Sequence, residues 1–206
     1  MKIFNKKYFF LLSLIFFANL YTFAGTFYTA TLYPKENTID VKEILSGKKF
    51  FICSKADDYN LVTEEKMDMQ DSHAILDFVK KISLKTEKPV VSYMIHDSDV
   101  LWFVIYKSGR QIFLLDNSDE YFSGGKFVLK GKHKVPSVFK VDQAKWNSEI
   151  TKEKFEECLF ADEFLAKLLN LLKLPEWVAG IGYRYLSEDK DFVLWLKKSG
   201  VNIEKD

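Results

Sequence analysis

Three apolar runs occupy the middle of the chain, Val90–Ile95, Val100–Tyr106 and Gln111–Leu115. Only two short polar links divide them, His96-Asp97-Ser98-Asp99 and Lys107-Ser108-Gly109-Arg110. Such runs joined by Gly- or Asp-containing links predict antiparallel hairpins, here a β-meander. With Ser108 and Gly109 as the turn residues, Phe103 is expected opposite Leu114 and Ile105 opposite Ile112. Both faces of this hairpin are apolar, which predicts a central position covered on both sides.

Flanking segments read less uniformly. Strands are expected over Thr26–Tyr33, Lys49–Ser54, Lys126–Lys130 and Gly182–Leu186, where β-branched and aromatic residues suit a pleated surface. Thr38–Ser46 reads as a short helical turn stopped by Gly47. A helix capped by Ser72 and running to Ile82 follows from Ala74, Ile75, Phe78, Val79 and Ile82 at helical spacing. Thr151 caps a longer helical stretch to Lys173, with a break, whose apolar face includes Phe155, Cys158, Leu159, Phe164, Leu165, Leu168, Leu169 and Leu172. Pro175 opens a short turn carrying Trp177. A last helix starts at Ser187, runs to Lys198 and ends at Gly200. Lys55–Gln70 reads as charged and irregular. The expected fold class is α+β: a mostly antiparallel sheet with a central β-meander and helices packed on it.

The N-terminus changes the picture of where such a domain works. Lys2, Lys6 and Lys7 precede an apolar run from Tyr8 to Ala18 broken only by Ser13, and Thr22-Phe23-Ala24 then presents small residues before Gly25. This order is that of a secretory signal peptide, so residues 1–24 are expected to be removed and residues 25–206 to form one globular domain. The alternative is an uncleaved membrane anchor, since no charge occurs between Tyr8 and Pro34. The expected location is the periplasm or the extracellular space, with membrane contact only if the leader is retained.

Composition narrows the class further. The chain has 206 residues, 48% hydrophobic and 29% charged, with a formal net charge of +1. This excludes disorder, a collagen-like chain and a polytopic membrane protein. Loss of the leader removes three lysines and no acid, leaving a slightly acidic protein with no general attraction to nucleic acid. The two cysteines, Cys53 and Cys158, could form one disulfide in an oxidising compartment, or remain buried thiols.

Candidate chemistry concentrates in the meander. The link at His96–Asp99 and the loop after Asp116 must emerge at one end of the sheet. His96, Asp97, Asp99, Asp116, Ser118, Asp119 and Glu120 would then share an acidic rim. Several carboxylate and carbonyl oxygens in one place suit a hard cation such as calcium, or a basic partner. Asp, Asn and Ser are also simply what tight turns use. The stretch from Asp116 does not match an EF-hand, because Tyr121 stands at the turn glycine and Phe127 at the final acid. The chain has no nucleophile elbow, phosphate loop, His-Glu-x-x-His or Cys-x-x-Cys. Its histidines are His73, His96 and His133. Trp177, Tyr183 and Tyr185 could line a ligand pocket or pack as core. The basic run Lys126, Lys130, Lys132, His133 and Lys134 reads as a strand edge, where lysines discourage further pairing.

The stretches Asp97–Gly125 and Phe160–Leu186 together resemble an uncharacterised family of small bacterial globular proteins. There a hairpin leads into an Asp-Ser loop ending in Tyr-Phe, and a Leu-rich helix later leads into Gly-Tyr-x-Tyr. The resemblance implies no activity, only the general look of an adaptor or immunity-like module. The function expected is therefore a non-enzymatic interaction module with an unknown protein partner, no nucleic acid and no required cofactor. The alternatives are a cation-dependent hydrolase using the acidic rim, with calcium as its cation, and a periplasmic ligand binder.

Overall fold

The structure, a computed structural model, describes residues 25–36, 39–118 and 126–206. Among them eight strands form one sheet: β1 (Tyr28–Pro34), β2 (Phe50–Ser54), β3 (Tyr59–Glu64), β4 (Val90–His96), β5 (Val100–Lys107), β6 (Arg110–Asp116), β7 (Val128–Lys130) and β8 (Asn202–Lys205). Their spatial order is β7-β6-β5-β4-β1-β3-β2-β8, and every neighbouring pair is antiparallel. The α+β class expected from the sequence is the class observed. The expected leader, residues 1–24, lies outside the described residues.

Helices cover both faces. One face carries α1 (Val41–Ile44), α2 (Glu65–Asp68) and α3 (Ser72–Ser83). Their residues Val41, Met67, Ile75, Phe78 and Val79 pack on Phe50, Val62, Met94, Trp102 and Val104 of the sheet. The opposite face carries α4 (Val135–Phe139), α5 (Gln143–Glu149), α6 (Lys152–Glu156), α7 (Ala161–Leu171), α8 (Tyr183–Glu188) and α9 (Lys190–Lys198). There Trp146, Phe164, Leu165, Leu168 and Leu196 meet Tyr28, Leu61, Tyr93, Phe103 and Phe113. Strand β4 shows the consequence residue by residue. Val91, Tyr93 and Ile95 serve one core while Val90 and Met94 serve the other, so alternation by side produces no alternation of polarity.

The meander strands fall where the apolar runs predict them, but the register differs. Tyr106 pairs with Gln111 as expected, after which the register shifts and Ile105 pairs with Phe113, Val104 with Leu114 and Phe103 with Leu115. Ile112 is the extra residue of a β-bulge, which no counting from the turn can anticipate. Gly131 seats against this bulge with φ 72°, and a Cβ there would lie 1.9 Å from the Ile112 carbonyl oxygen. Only glycine meets both demands.

Three further expectations are corrected, and one strand is added. Lys55–Gln70 is not irregular: it contains β3 and α2. Gly182–Leu186 is not a strand but the start of α8, for a reason given below. The cap of α3 is Asp71, whose Oδ1 accepts from the amides of His73 and Ala74 at 3.0 and 3.1 Å, and Ser72 is the first helical residue. The C-terminal edge strand β8 was not anticipated, because Asn-Ile-Glu-Lys has the polarity of a loop. By contrast Thr151 caps α6, accepting from the Lys154 amide at 3.2 Å, and the helical stretch breaks before α7 as expected.

Burial separates two residues that the unshifted register would pair. Phe103 is fully buried, whereas Leu114 is half-buried near the β7 edge. Phe103→Ala should therefore cost about 3–5 kcal/mol, and Leu114→Ala clearly less, about 1–2 kcal/mol. Equal losses in urea unfolding would contradict the observed register and layering.

Candidate functional site

The turn between β4 and β5 marks one end of the sheet, and the acidic rim was expected there. Within it, Asp116 and Ser118 are tied to each other. Asp116 is buried at the end of β6, and its Oδ1 accepts from the Ser118 amide at 2.8 Å and from the Ser118 hydroxyl. Asn117 stitches the same loop to β5, accepting from the Leu101 amide at 2.7 Å and donating to the Asp99 carbonyl at 2.9 Å. His96 Nδ1 pairs with Gln70 Oε1, and Gln70 Nε2 donates to the Ile95 carbonyl at 3.1 Å. The Asp97 and Asp99 side chains are exposed at the turn. Asp119 and Glu120 lie outside the described residues. Among the described residues no three His, Cys, Asp or Glu side chains are grouped so as to hold a metal ion.

What the structure does assemble beside this turn was not expected. Asp162, at the start of α7, accepts from the Thr26 hydroxyl at 3.0 Å through Oδ2 and from the Tyr28 hydroxyl through Oδ1. Ser98 joins the group: its Oγ accepts from the Thr26 amide at 2.9 Å, and its carbonyl accepts from the Ala161 amide at 2.7 Å. The Tyr185 hydroxyl accepts from the Phe27 amide at 3.3 Å. Burial pushes the Tyr28 phenol well up, and the Asp162 carboxylate pushes it further, so Tyr28 remains a donor. The arrangement holds elements together; a phenol fixed in its protonated form does not serve as a base near neutral pH. Local sequence carries no signal for it, since Asp162 is 134 residues from Tyr28.

A second carboxylate works in the same way on the other side of β1. Asp68, buried at the end of α2, accepts from the Thr29 amide at 3.0 Å and from the Arg184 amide at 2.8 Å. The Arg184 amide is one of the orphan donors of the first turn of α8, so Asp68 is that helix's cap, supplied from a distant part of the chain. Gly182 makes this approach possible: a Cβ there would lie 2.5 Å from Tyr28 Cβ and 2.9 Å from Asp68 Oδ1. These contacts explain why Gly-Tyr-Arg-Tyr-Leu is helical despite its strand-like alternation.

The aromatic residues considered for a ligand pocket do not share one. Tyr183 packs on Phe51 with centroids 5.3 Å apart and borders a small cleft of about 180 Å³ beside Asp68. Tyr185 borders a separate open cleft of about 420 Å³ with Arg184, Glu188 and Lys190. Trp177 is half-buried, and its indole N–H donates to Asp57. Of the two readings of the cysteines, the free thiols are observed: Cys53 and Cys158 form no disulfide. Cys53 is sealed in β2, where burial pushes its thiol up to about 12, and Cys158 is half-buried, accepting from Lys167 Nζ at 3.4 Å. In the basic run, β7 is an edge strand, but Lys132–Lys134 forms a 3₁₀ turn whose Lys132 carbonyl accepts from the Trp146 indole at 2.9 Å.

The surface feature that stands apart is α9. Asp189 caps it, accepting from the Phe192 amide at 2.9 Å, and only Leu196 is buried. Leu194 is 50% and Trp195 60% exposed, and Trp195 stacks on Phe192 with centroids 5.9 Å apart. Lys190, Leu194 and Lys198 recur at four-residue spacing and so form one outward stripe beside Trp195.

Asp68 gives the site a pH signature. Burial raises its carboxyl above the ordinary 3.8, and the Arg184 and Thr29 amides oppose that rise without cancelling it. The folded chain thus binds a proton at Asp68 more readily than the unfolded chain. Its contribution to stability is greatest below the ordinary carboxylate range and is lost as pH rises through the folded value. Measured against Asp68→Asn, which does not titrate, the unaltered protein should lose ground in urea unfolding as pH rises from the ordinary carboxylate value of 3.8 through the raised folded value. A difference that is flat, or that moves the other way, would contradict this assignment.

The chain matches no protein-family model, no curated protein and no solved structure.

Proposed function

We propose that this is an exported, non-enzymatic interaction module, and that it acts by laying the outer face of α9 into an acid-rimmed apolar groove of a protein partner. The leader-like N-terminus supports export to the periplasm or cell surface. One observation carries the docking reading: a stacked, solvent-facing Trp195 beside exposed Leu194, framed by Lys190, Lys197 and Lys198. Burying an apolar side chain is favourable, and leaving a tryptophan in water forfeits that gain. Tryptophan is also among the residues that most often dominate interface energies. The lysines select the partner's chemistry, since a groove with acidic edges would meet them in complementary register. Helix-in-groove recognition seats apolar anchors from one helix, here Leu194 and Trp195, with the lysines left at the groove's edges.

The test is a photoreactive residue at position 194 in the full-length protein, illuminated in its own cell envelope. A discrete protein adduct is expected, lost in the Trp195→Ala background and in the Lys190→Glu, Lys198→Glu pair. Because these side chains sit on the surface, each variant should melt within about 0.5 kcal/mol of the unaltered protein. Adducts to lipid alone, or adducts indifferent to Trp195→Ala, would overturn the proposal.

A further inference from the structure

The first described residues are held more tightly than a chain end ordinarily is. The Thr26 amide donates to Ser98 Oγ at 2.9 Å, its carbonyl accepts from the Ser98 amide at 3.3 Å, and its hydroxyl donates to Asp162 at 3.0 Å. The Phe27 amide donates to Tyr185, and the Phe27 ring meets His96 edge-on at 4.8 Å. Gly25 completes the segment. A Cβ at Gly25 would fall 1.8 Å from Asp97 Oδ1 and 2.8 Å from Asp97 Cα, so its backbone lies directly against that carboxylate. No other residue type fits there without moving the turn. Gly25 is also the residue that follows Thr22-Phe23-Ala24, where small side chains suit a signal peptidase.

We propose that the β4–β5 turn is the seat of a newly made N-terminus: hydrolysis of the Ala24–Gly25 bond frees the Gly25 α-ammonium, which pairs with the Asp97 carboxylate. The hydrolysis adds one water across the peptide bond, leaving a carboxylate on Ala24 and a protonated amine on Gly25. An intact peptide at this position offers Asp97 at most a neutral N–H; the cleaved chain offers a full positive charge at the same place. Charge-assisted contacts of this kind are the stronger ones. Leader removal then does more than release the domain, because it supplies a cationic partner to a turn where Ser98 and Asp162 already grip the next residue. The requirement for glycine comes from the seat, since the peptidase reads the small residues Thr22 and Ala24 before the cleaved bond.

This inference rests on the export reading, and the experiment separates the two. Domain beginning at Gly25 is prepared with a free amine, with an acetylated amine, and with Ala24 retained, each with and without Asp97→Asn. The α-amine is titrated by pH-dependent acylation. An unperturbed α-amine titrates near 7.7–8.0. The Gly25 amine is expected to titrate clearly above that range, and to return to it in Asp97→Asn. A raised amine value stabilises the fold below the unfolded value and loses that effect as pH rises through the folded one. The free-amine form should therefore melt about 1–3 °C above the acetylated form at pH 7, and the gap should close by about pH 10. An amine titrating in the ordinary range with Asp97 intact, or equal melting of all forms at pH 7, would overturn the seat. Mass measurement of protein recovered from cells reports on export alone. A chain still containing Met1 would overturn the export reading, and with it the use of the seat in the cell, whatever the titration shows.

Discussion

Two-sided burial of the sheet governs the molecule. With α1–α3 on one face and α4–α9 on the other, every central strand must be apolar in both directions, and the backbone must satisfy its own hydrogen bonds in the ladder. Small polar residues enter the core on both faces of the sheet, Thr31 and Ser92 on one and Thr63, opposite Phe51, on the other. Thr31 and Ser92 share a hydrogen bond at 2.9 Å, and the Thr63 hydroxyl donates to the Thr29 carbonyl at 2.8 Å. These short hydroxyls bond to one another and to strand carbonyls, so the sheet itself absorbs their polarity. Charged chemistry is thereby displaced to the ends of the sheet and to the outer helix faces.

Two carboxylates turn that displacement into structure. Asp68 ties α2, β1 and α8 together, and Asp162 ties α7 to the entry of β1. Each accepts from groups far away in the chain, so each converts a local helix end into a long-range fastening. Strand β1, between β3 and β4 in the sheet, is the element both fastenings share. The N-terminal residues are therefore positioned from three directions, by the β4–β5 turn, by α7 and by α8.

The parts of this fold legible in the sequence are those whose cause is local. The meander strands follow from unbroken apolar runs, and α3 and the Leu-rich α7 follow from helical periodicity. Strand β3 was missed because its first residues, Tyr59 and Asn60, follow a run of charge that reads as loop. Helix α8 was misread because its cap, Asp68, lies 116 residues from Arg184. The bulge at Ile112 depends on the approach of Gly131 from the next strand. The rim residues were correctly placed at one end of the sheet as far as His96, Asp97, Asp99, Asp116 and Ser118 are described. The partner of His96 was not foreseeable, since Gln70 comes from a separate element. The exposed face of α9 was open to view in the sequence, but periodicity alone does not say which stripe of a helix faces the core.

Amide hydrogen exchange measured residue by residue tests the central claim most directly. If burial on both faces carries the fold, the amides of β1, β4 and β5 should exchange only through global unfolding, with one common free energy. Those of the edge strands β7 and β8 should exchange through smaller local openings. Exchange of the Val90–Ile95 amides at the rates of β7 would contradict the account, because it would place the sheet's least stable part where both cores meet.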